Sequence, residues 1–163
     1  LRQLSERAVE GRAPHIHSMD GDINKAYDIV SRKAFAEAAR ARGMGDVLIL
    51  AWQREWWRMR SVFRLDTEAV SDEVTRTRSL PRGDPAAPML FNLILDNLAT
   101  RFTRIAVARG WGRKLQDGTW VDIILFADNY RLVATDHCML ASMTKAWLAL
   151  LSEYGFGRRQ WGS

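Results

Sequence analysis

The sequence predicts an α+β fold in which an antiparallel sheet carries helices on one face. Two apolar runs, Val121 to Ala127 and Tyr130 to Ala134, are separated only by Asp128 and Asn129. A connection that short returns the chain antiparallel, since a parallel crossover needs a dozen residues or more. Two long segments, one from Leu90 to Val107 and one after Asp136, repeat apolar residues at helical spacing. The elements run strand, helices, hairpin, helix, hairpin, helix, which segregates helices to one side of a sheet instead of alternating them through it.

Each element has its own signal. Residues 14 to 23 read as a strand. From Tyr27 the stripe Ile29, Val30, Phe35, Ala38 and Ala39 predicts a helix stopped by Gly43. Asp46 is placed to cap a second helix over about 47 to 60, with Leu48, Trp52, Trp56 and Met59 on one face. Val62 to Leu65 and Glu73 to Thr77 read as a hairpin. Pro88 suits a helix start, because proline lacks the donor that the first turn cannot use, and Gly110 closes that helix. An Asp117-Gly118 turn leads into the strand from Val121. Asp136 caps a last helix bearing Leu140, Met143, Trp147, Leu150, Leu151 and Tyr154, ended by Gly155.

Composition bounds the rest. The chain has 163 residues, 47% of them hydrophobic, enough for one compact domain over residues 1–163, and no repeat or linker marks a boundary. Lys and Arg number 24 against 19 Asp and Glu, a formal charge of +5 that suits a polyanionic partner. The lone Cys138 has no partner for an internal disulfide, and no Cys and His cluster has zinc-site spacing, so a reducing compartment is expected. No signal peptide and no run of about 18 apolar residues is present, so no membrane partner and an intracellular location, nuclear or cytoplasmic, are expected. The chain begins with Leu1, and upstream sequence is expected to be missing. Phosphate-loop and dinucleotide fingerprints are absent.

Two acidic sites far apart in sequence carry the most information. Asp22 ends the first strand, and Asp128 sits at the tip of the apolar hairpin beside Asn129. A carboxylate projected from a rigid sheet end is how hard divalent cations are held, although an Asp-Asn pair is also an ordinary turn. Around these residues the chain resembles reverse transcriptases. Asp22-Ile23-Asn24-Lys25-Ala26-Tyr27-Asp28 is similar to their first palm motif. The stretch from Leu80-Pro81-Arg82-Gly83-Asp84 to Asn92-Leu93 is similar to the second, and Phe126-Ala127-Asp128-Asn129 to the aromatic-Ala-Asp-Asp box. All three stand in the family's order over roughly residues 14 to 156, with the flavour of non-LTR retrotransposons and group II introns.

The resemblance implies a right-hand polymerase palm and RNA-directed DNA synthesis, with an RNA template, a DNA primer and dNTP as partners. It implies two divalent ions, Mg2+ or Mn2+, held by Asp22, Asp128 and the backbone carbonyl of Ile23, because nucleotidyl transfer needs both a better nucleophile and a neutralised triphosphate. Asn129 would stand beside them. Tyr27 would lie under the incoming sugar and exclude a 2′ hydroxyl, while Pro81, Arg82 and Gly83 would shape the nucleotide-binding loop. Complete fingers and thumb are lacking and are expected from the parent chain.

Several positions depart from the pattern. Asn129 replaces a second Asp, Ser79 stands for Gly, Arg82 for Gln and Ala87 for a frequent Ser; Gly155-Phe156-Gly157-Arg158-Arg159-Gln160 lacks the usual Lys. These departures suggest a drifting copy, and without fingers and thumb to grip primer and template little or no processive synthesis is expected. A non-catalytic nucleic-acid-binding remnant is one alternative, and an RNA-directed RNA polymerase palm is another, which Tyr27 argues against. His15 and His17 share a strand face and His137 adjoins Cys138, but no third ligand completes a metal site. Trp52, Trp56 and Trp57, interleaved with Arg54, Arg58 and Arg60, suit either base stacking or a core stripe with a solvated face.

Overall fold

Alternating exposure along β1 (His17–Asp22) defines the two faces of the main sheet: Met19 and Gly21 are half-buried, whereas Ser18, Asp20 and Asp22 are exposed. The structure is a computed structural model that describes residues 16–58, 60–62, 64, 70–75, 80, 83–115 and 117–156. The chain divides into two compact units, one made of the segments up to Asn24 and from Leu98 onward, the other of Lys25–Asn97.

In the first unit, β7 (Asn129–Ala134) is the central strand, flanked antiparallel by β1 and by β6 (Ile123–Phe126). The register pairs His17 with Ala134, Asp22 with Asn129 and Phe126 with Asn129. The two turn residues are thus Ala127 and Asp128, one position earlier than the sequence suggests, and Asn129 opens the returning strand. Ala127 has φ 53. A positive φ at the first of two turn residues matches the twist of a hairpin, at a steric cost that a glycine would avoid.

Helix α5 (His137–Glu153) covers the inner face of this sheet. Asp136 caps it, accepting from Met139 N at 2.8 Å, as the sequence indicates. Its buried side chains are Met143, Trp147, Leu150 and Leu151. The Trp147 ring packs edge-on against Tyr130 at 5.5 Å and Phe102 at 5.4 Å, and Thr144 Oγ1 lies 3.4 Å from Met19 Sδ. Burying a side chain the size of Phe102 or Met143 contributes about 1.5–3 kcal/mol each. The helix closes at Gly155 (φ 87), where Phe156 N reaches back to Leu151 O at 2.8 Å.

The expected single strand from Val121 to Ala127 is two pieces. β4 (Arg113–Lys114) pairs with β5 (Trp120–Val121) around the Asp117-Gly118 turn, a hairpin the sequence reading missed, and Asp122 interrupts before β6. Asp122 is only 3% exposed. Its Oδ1 accepts from Ile123 N at 2.7 Å and its backbone carbonyl from Val133 N at 2.9 Å, which fixes the break.

In the second unit, the helix expected from Tyr27 to Gly43 is broken into α1 (Ala26–Ile29) and α2 (Arg32–Ala41). Val30 and Ser31 are not helical, and Ser31 Oγ accepts from Lys33 N and Ala34 N at 3.2 and 3.5 Å, starting α2 afresh. Gly43, at φ 79, ends it as expected. α3 (Asp46–Arg58) begins where predicted, but Asp46 does not cap it: its carboxylate takes Arg40 Nε at 2.8 Å. Its buried face is also rotated from the expected one. Ile49 and Trp56 are buried, Trp56 packing on Phe35 at 4.8 Å, while Leu48 is 50% exposed; Met59 lies outside the described residues.

The predicted hairpin forms between β2 (Arg60–Ser61) and β3 (Val74–Thr75), with a bridge from Arg64 to Val70. Leu65, Arg76 and Thr77 lie outside the described residues. α4 (Ala87–Ala108) has Pro88 in its first turn and buries Leu90, Phe91, Ile94, Leu95, Leu98, Phe102 and Ala106, the stripe its periodicity predicts. Gly110, at φ 66, ends it. No helix among the described residues is long and apolar enough to cross a membrane.

Candidate active site

Asp22 and Asp128 come together at one corner of the main sheet. Asp22 is the last residue of β1 and stands in register opposite Asn129, while the next amide along, Ile23 N, donates to Asp128 O at 2.9 Å. Ile23 itself is 4% exposed, so the strand end is anchored by an apolar side chain immediately after the first carboxylate. Asp22 and Asn129 are exposed and Asp128 is half-buried. Asp22 lies in the exposed alternation of β1, on the face opposite the one that α5 covers.

The corner is braced from beneath. Tyr130 pairs with Gly21 across the strands, and its ring lies over the glycine: a Cβ there would sit 2.8 Å from Tyr130 Cε1 and closer still to Cζ and the hydroxyl oxygen. Glycine at 21 is therefore what lets the aromatic cross directly behind Asp22. Burial, and then the Asp22 charge, push the Tyr130 hydroxyl above its ordinary pKa, so it remains a neutral group beside the carboxylate. Among the described non-glycine residues only Lys25 and Ala127 have positive φ, 54 and 53 respectively. One follows Asp22 by three positions in sequence and the other directly precedes Asp128, and strain of this kind clusters at functional sites.

In the second unit, Tyr27 is half-buried with its ring 4.9 Å from that of Phe91, and its carbonyl accepts from Leu80 N at 2.8 Å. The first two sequence motifs thus meet at Tyr27 and Leu80. Gly83 has φ 86 and open space around it, and Asp84 Oδ1 accepts from Ala86 N at 2.8 Å to start α4. The loop needs glycine there for its backbone conformation. Pro81 and Arg82 lie outside the described residues, and Asn92 is exposed on α4.

The side chains available at the corner, the carboxylates of Asp22 and Asp128, are hard oxygen donors of the kind that suit Mg2+ or Mn2+. No group of three or more His, Cys, Asp or Glu gathers among the described residues, so any further ligands would be backbone, water or substrate. His17 and His137 come within 6.5 Å ring to ring, a pairing their sequence positions do not suggest; His15 lies outside the described residues. Trp52 and Trp56 are 6.0 Å apart, and Trp56 is buried, so it belongs to the core stripe and not to a stacking surface.

Sequence reasoning passed over three residues that shape the corner: Gly21, Asp20 and Arg131. Asp20 stands opposite Arg131 on the same face as Asp22 and Asn129, and Arg131 Nη2 donates to Asp20 Oδ2 at 2.7 Å, with Nε on Oδ1 beside it. A glycine beside a motif Asp was the available signal for the first. The ion pair depends on register and left no local trace.

The chain matches the family described as "Reverse transcriptase (RNA-dependent DNA polymerase)" over residues 3–158. It is also similar to the "Retrovirus-related Pol polyprotein from type-1 retrotransposable element R2" of Popillia japonica, 31% identical over 100 residues. That alignment takes in 58% of this chain, and the chain spans 15% of the polyprotein's length.

Proposed function

The chain belongs to the reverse transcriptase family, and from that premise we propose that it is the palm of an RNA-directed DNA polymerase in which Asp22 and Asp128 hold the divalent cations. The observation that carries the reading is that the backbones of Asp22 and Asp128, remote in sequence, lie side by side at one sheet end, where Ile23 N donates to Asp128 O at 2.9 Å. The partners are an RNA template, a DNA primer and a dNTP, with fingers and thumb contributed by a longer parent chain.

Asp22, Asp128 and the Ile23 carbonyl would hold two Mg2+ or Mn2+ ions, as hard oxygen donors do. When bound, these ions supply Lewis acidity for the attack of the 3′ hydroxyl and neutralise the triphosphate. A strand end under Asp22 and a tight turn under Asp128 would keep both carboxylates in place, so that little reorganisation would accompany reaction. Asn129, exposed opposite Asp22, offers an amide oxygen where a carboxylate would add charge. By the family resemblance, Tyr27, whose ring lies 4.9 Å from that of Phe91, would be the residue that excludes a 2′ hydroxyl. By the same resemblance, Pro81, Arg82 and Gly83 would be nucleotide-binding residues.

Extension of oligo(dT) on poly(rA) with dTTP tests the proposal. The chain is expected to give short products, and Asp128→Ala to lose about 3–4 kcal/mol of transition-state stabilisation, a rate fall of about 100- to 1,000-fold. Equal extension by chain and variant would refute it. The missing second carboxylate at Asn129 favours one rival, a nucleic-acid-binding remnant without catalysis, which would bind the duplex and extend nothing.

A further inference from the structure

The outer face of the sheet carries a basic side chain close to the carboxylate corner, and its chemistry is not used by nucleotidyl transfer. Arg131 lies two residues into β7 from Asn129, and Asp20 two residues back along β1 from Asp22. At about 3.3–3.4 Å per residue, the Asp20–Arg131 pair sits about 7 Å from the Asp22–Asn129 pair on the same face. Successive phosphates of one strand are separated by a similar length, so a strand whose end lies at the corner brings a phosphodiester over Arg131.

The guanidinium is bound side-on, Nε to Oδ1 and Nη2 to Oδ2, the latter at 2.7 Å. That two-pronged fork fits a phosphodiester as well as it fits a carboxylate. Both partners are open to solvent, with 41% of the Arg131 side chain and 63% of the Asp20 side chain exposed, so water screens the pair and an incoming anion can reach it. Without Arg131, Asp20 would add a further negative charge beside Asp22 and repel a polyanion.

We propose that Arg131 is a backbone-phosphate contact for the primer strand and that Asp20 occupies its guanidinium until nucleic acid displaces the carboxylate. This rests on the polymerase reading for the position of the primer end. The two partners then have opposite effects on binding: removing the Arg131 charge deletes a phosphate contact, whereas neutralising Asp20 frees the guanidinium in advance. Charge alone would also give opposite signs, so the fork is tested by Arg131→Lys, which keeps the charge and would bind as tightly as the parent if the pair only fastened β1 to β7.

Fluorescence anisotropy of a labelled DNA primer annealed to an RNA template, titrated with the chain between 50 and 200 mM salt, separates these cases. Arg131→Gln is expected to weaken binding several-fold and to lower the salt slope by about one, Arg131→Lys to keep the slope with part of the affinity, and Asp20→Asn to tighten binding two- to fivefold. Circular dichroism confirms that each variant is folded. If the chain binds the duplex and Arg131→Gln and Asp20→Asn move its affinity in the same direction or not at all, the inference fails and the polymerase reading stands. If the chain does not bind the duplex, both fail. Weakened dTTP binding with unchanged duplex binding would assign Arg131 to the nucleotide triphosphate and overturn its primer role.

Discussion

Gly21→Ala tests whether the corner depends on an aromatic ring crossing bare backbone. The new methyl would lie 2.8 Å from Tyr130 Cε1 and nearer to two other ring atoms, where carbon contacts are at ease at about 3.5–4.0 Å. The ring has little room to yield, because Tyr130 is 7% exposed and the fully buried Trp147 ring stands 5.5 Å from it. Overpacking of this kind costs about 1–3 kcal/mol, and loss of the Tyr130–Trp147 contact adds about 0.5–1.5 kcal/mol. The expected destabilisation is about 2–4 kcal/mol, or about 4–16 °C in Tm for a chain of this size. Urea unfolding followed by tryptophan fluorescence measures it. In a Tyr130→Leu background the same substitution should cost at least about 1 kcal/mol less, since the obstructed ring is gone. A cost below about 0.5 kcal/mol, or an equal cost in both backgrounds, would refute the reasoning.

Two other substitutions have defined outcomes. Burial raises the Asp122 pKa above its ordinary value, against the opposing pull of Thr103 and the Ile123 amide, and Oδ2 has no hydrogen-bond partner. The folded state therefore holds that proton more tightly than the unfolded state, and its contribution is favourable below the unfolded pKa and is lost as pH rises through the folded one. Asp122→Asn should accordingly gain in urea midpoint relative to the parent as pH goes from 4 to 8; a pH-independent difference would show that Asp122 does not titrate this way. Asn129→Asp restores a carboxylate opposite Asp22 and is expected to tighten Mg2+ binding about tenfold and to raise primer extension. Unchanged affinity, read by calorimetry, would place residue 129 outside the cation site.

Much of this was legible in the chain because local chemistry carried it. The Asp136 cap, the stripe of α4 and the Gly43, Gly110 and Gly155 stops each depend on neighbours within a few residues, and each is found. Asp22 and Asp128 stood out at a strand end and a hairpin tip, and the motif resemblance singled them out as a pair; what the structure adds is that their backbones are neighbours. The misreadings occurred where a side chain overrode periodicity. Ser31 captured two backbone amides and cut one helix into two, and Asp122 did the same to a strand by binding Ile123 N. In α3, Trp56 of the expected stripe packs on Phe35 of the neighbouring helix, but Ile49 is buried where one-dimensional spacing favoured Leu48. The Arg131–Asp20 pair and the close approach of Tyr130 to Gly21 exist only through the register of β1 on β7, which no local pattern encodes.

The central claim is that Asp22 and Asp128 hold cations jointly, and Mn2+ binding followed by electron paramagnetic resonance on the chain, Asp22→Ala and Asp128→Ala measures it most directly. The expected result is saturable binding by the parent that either substitution weakens at least about tenfold, with the fold intact by circular dichroism. Binding that survives unchanged in either variant would contradict the claim.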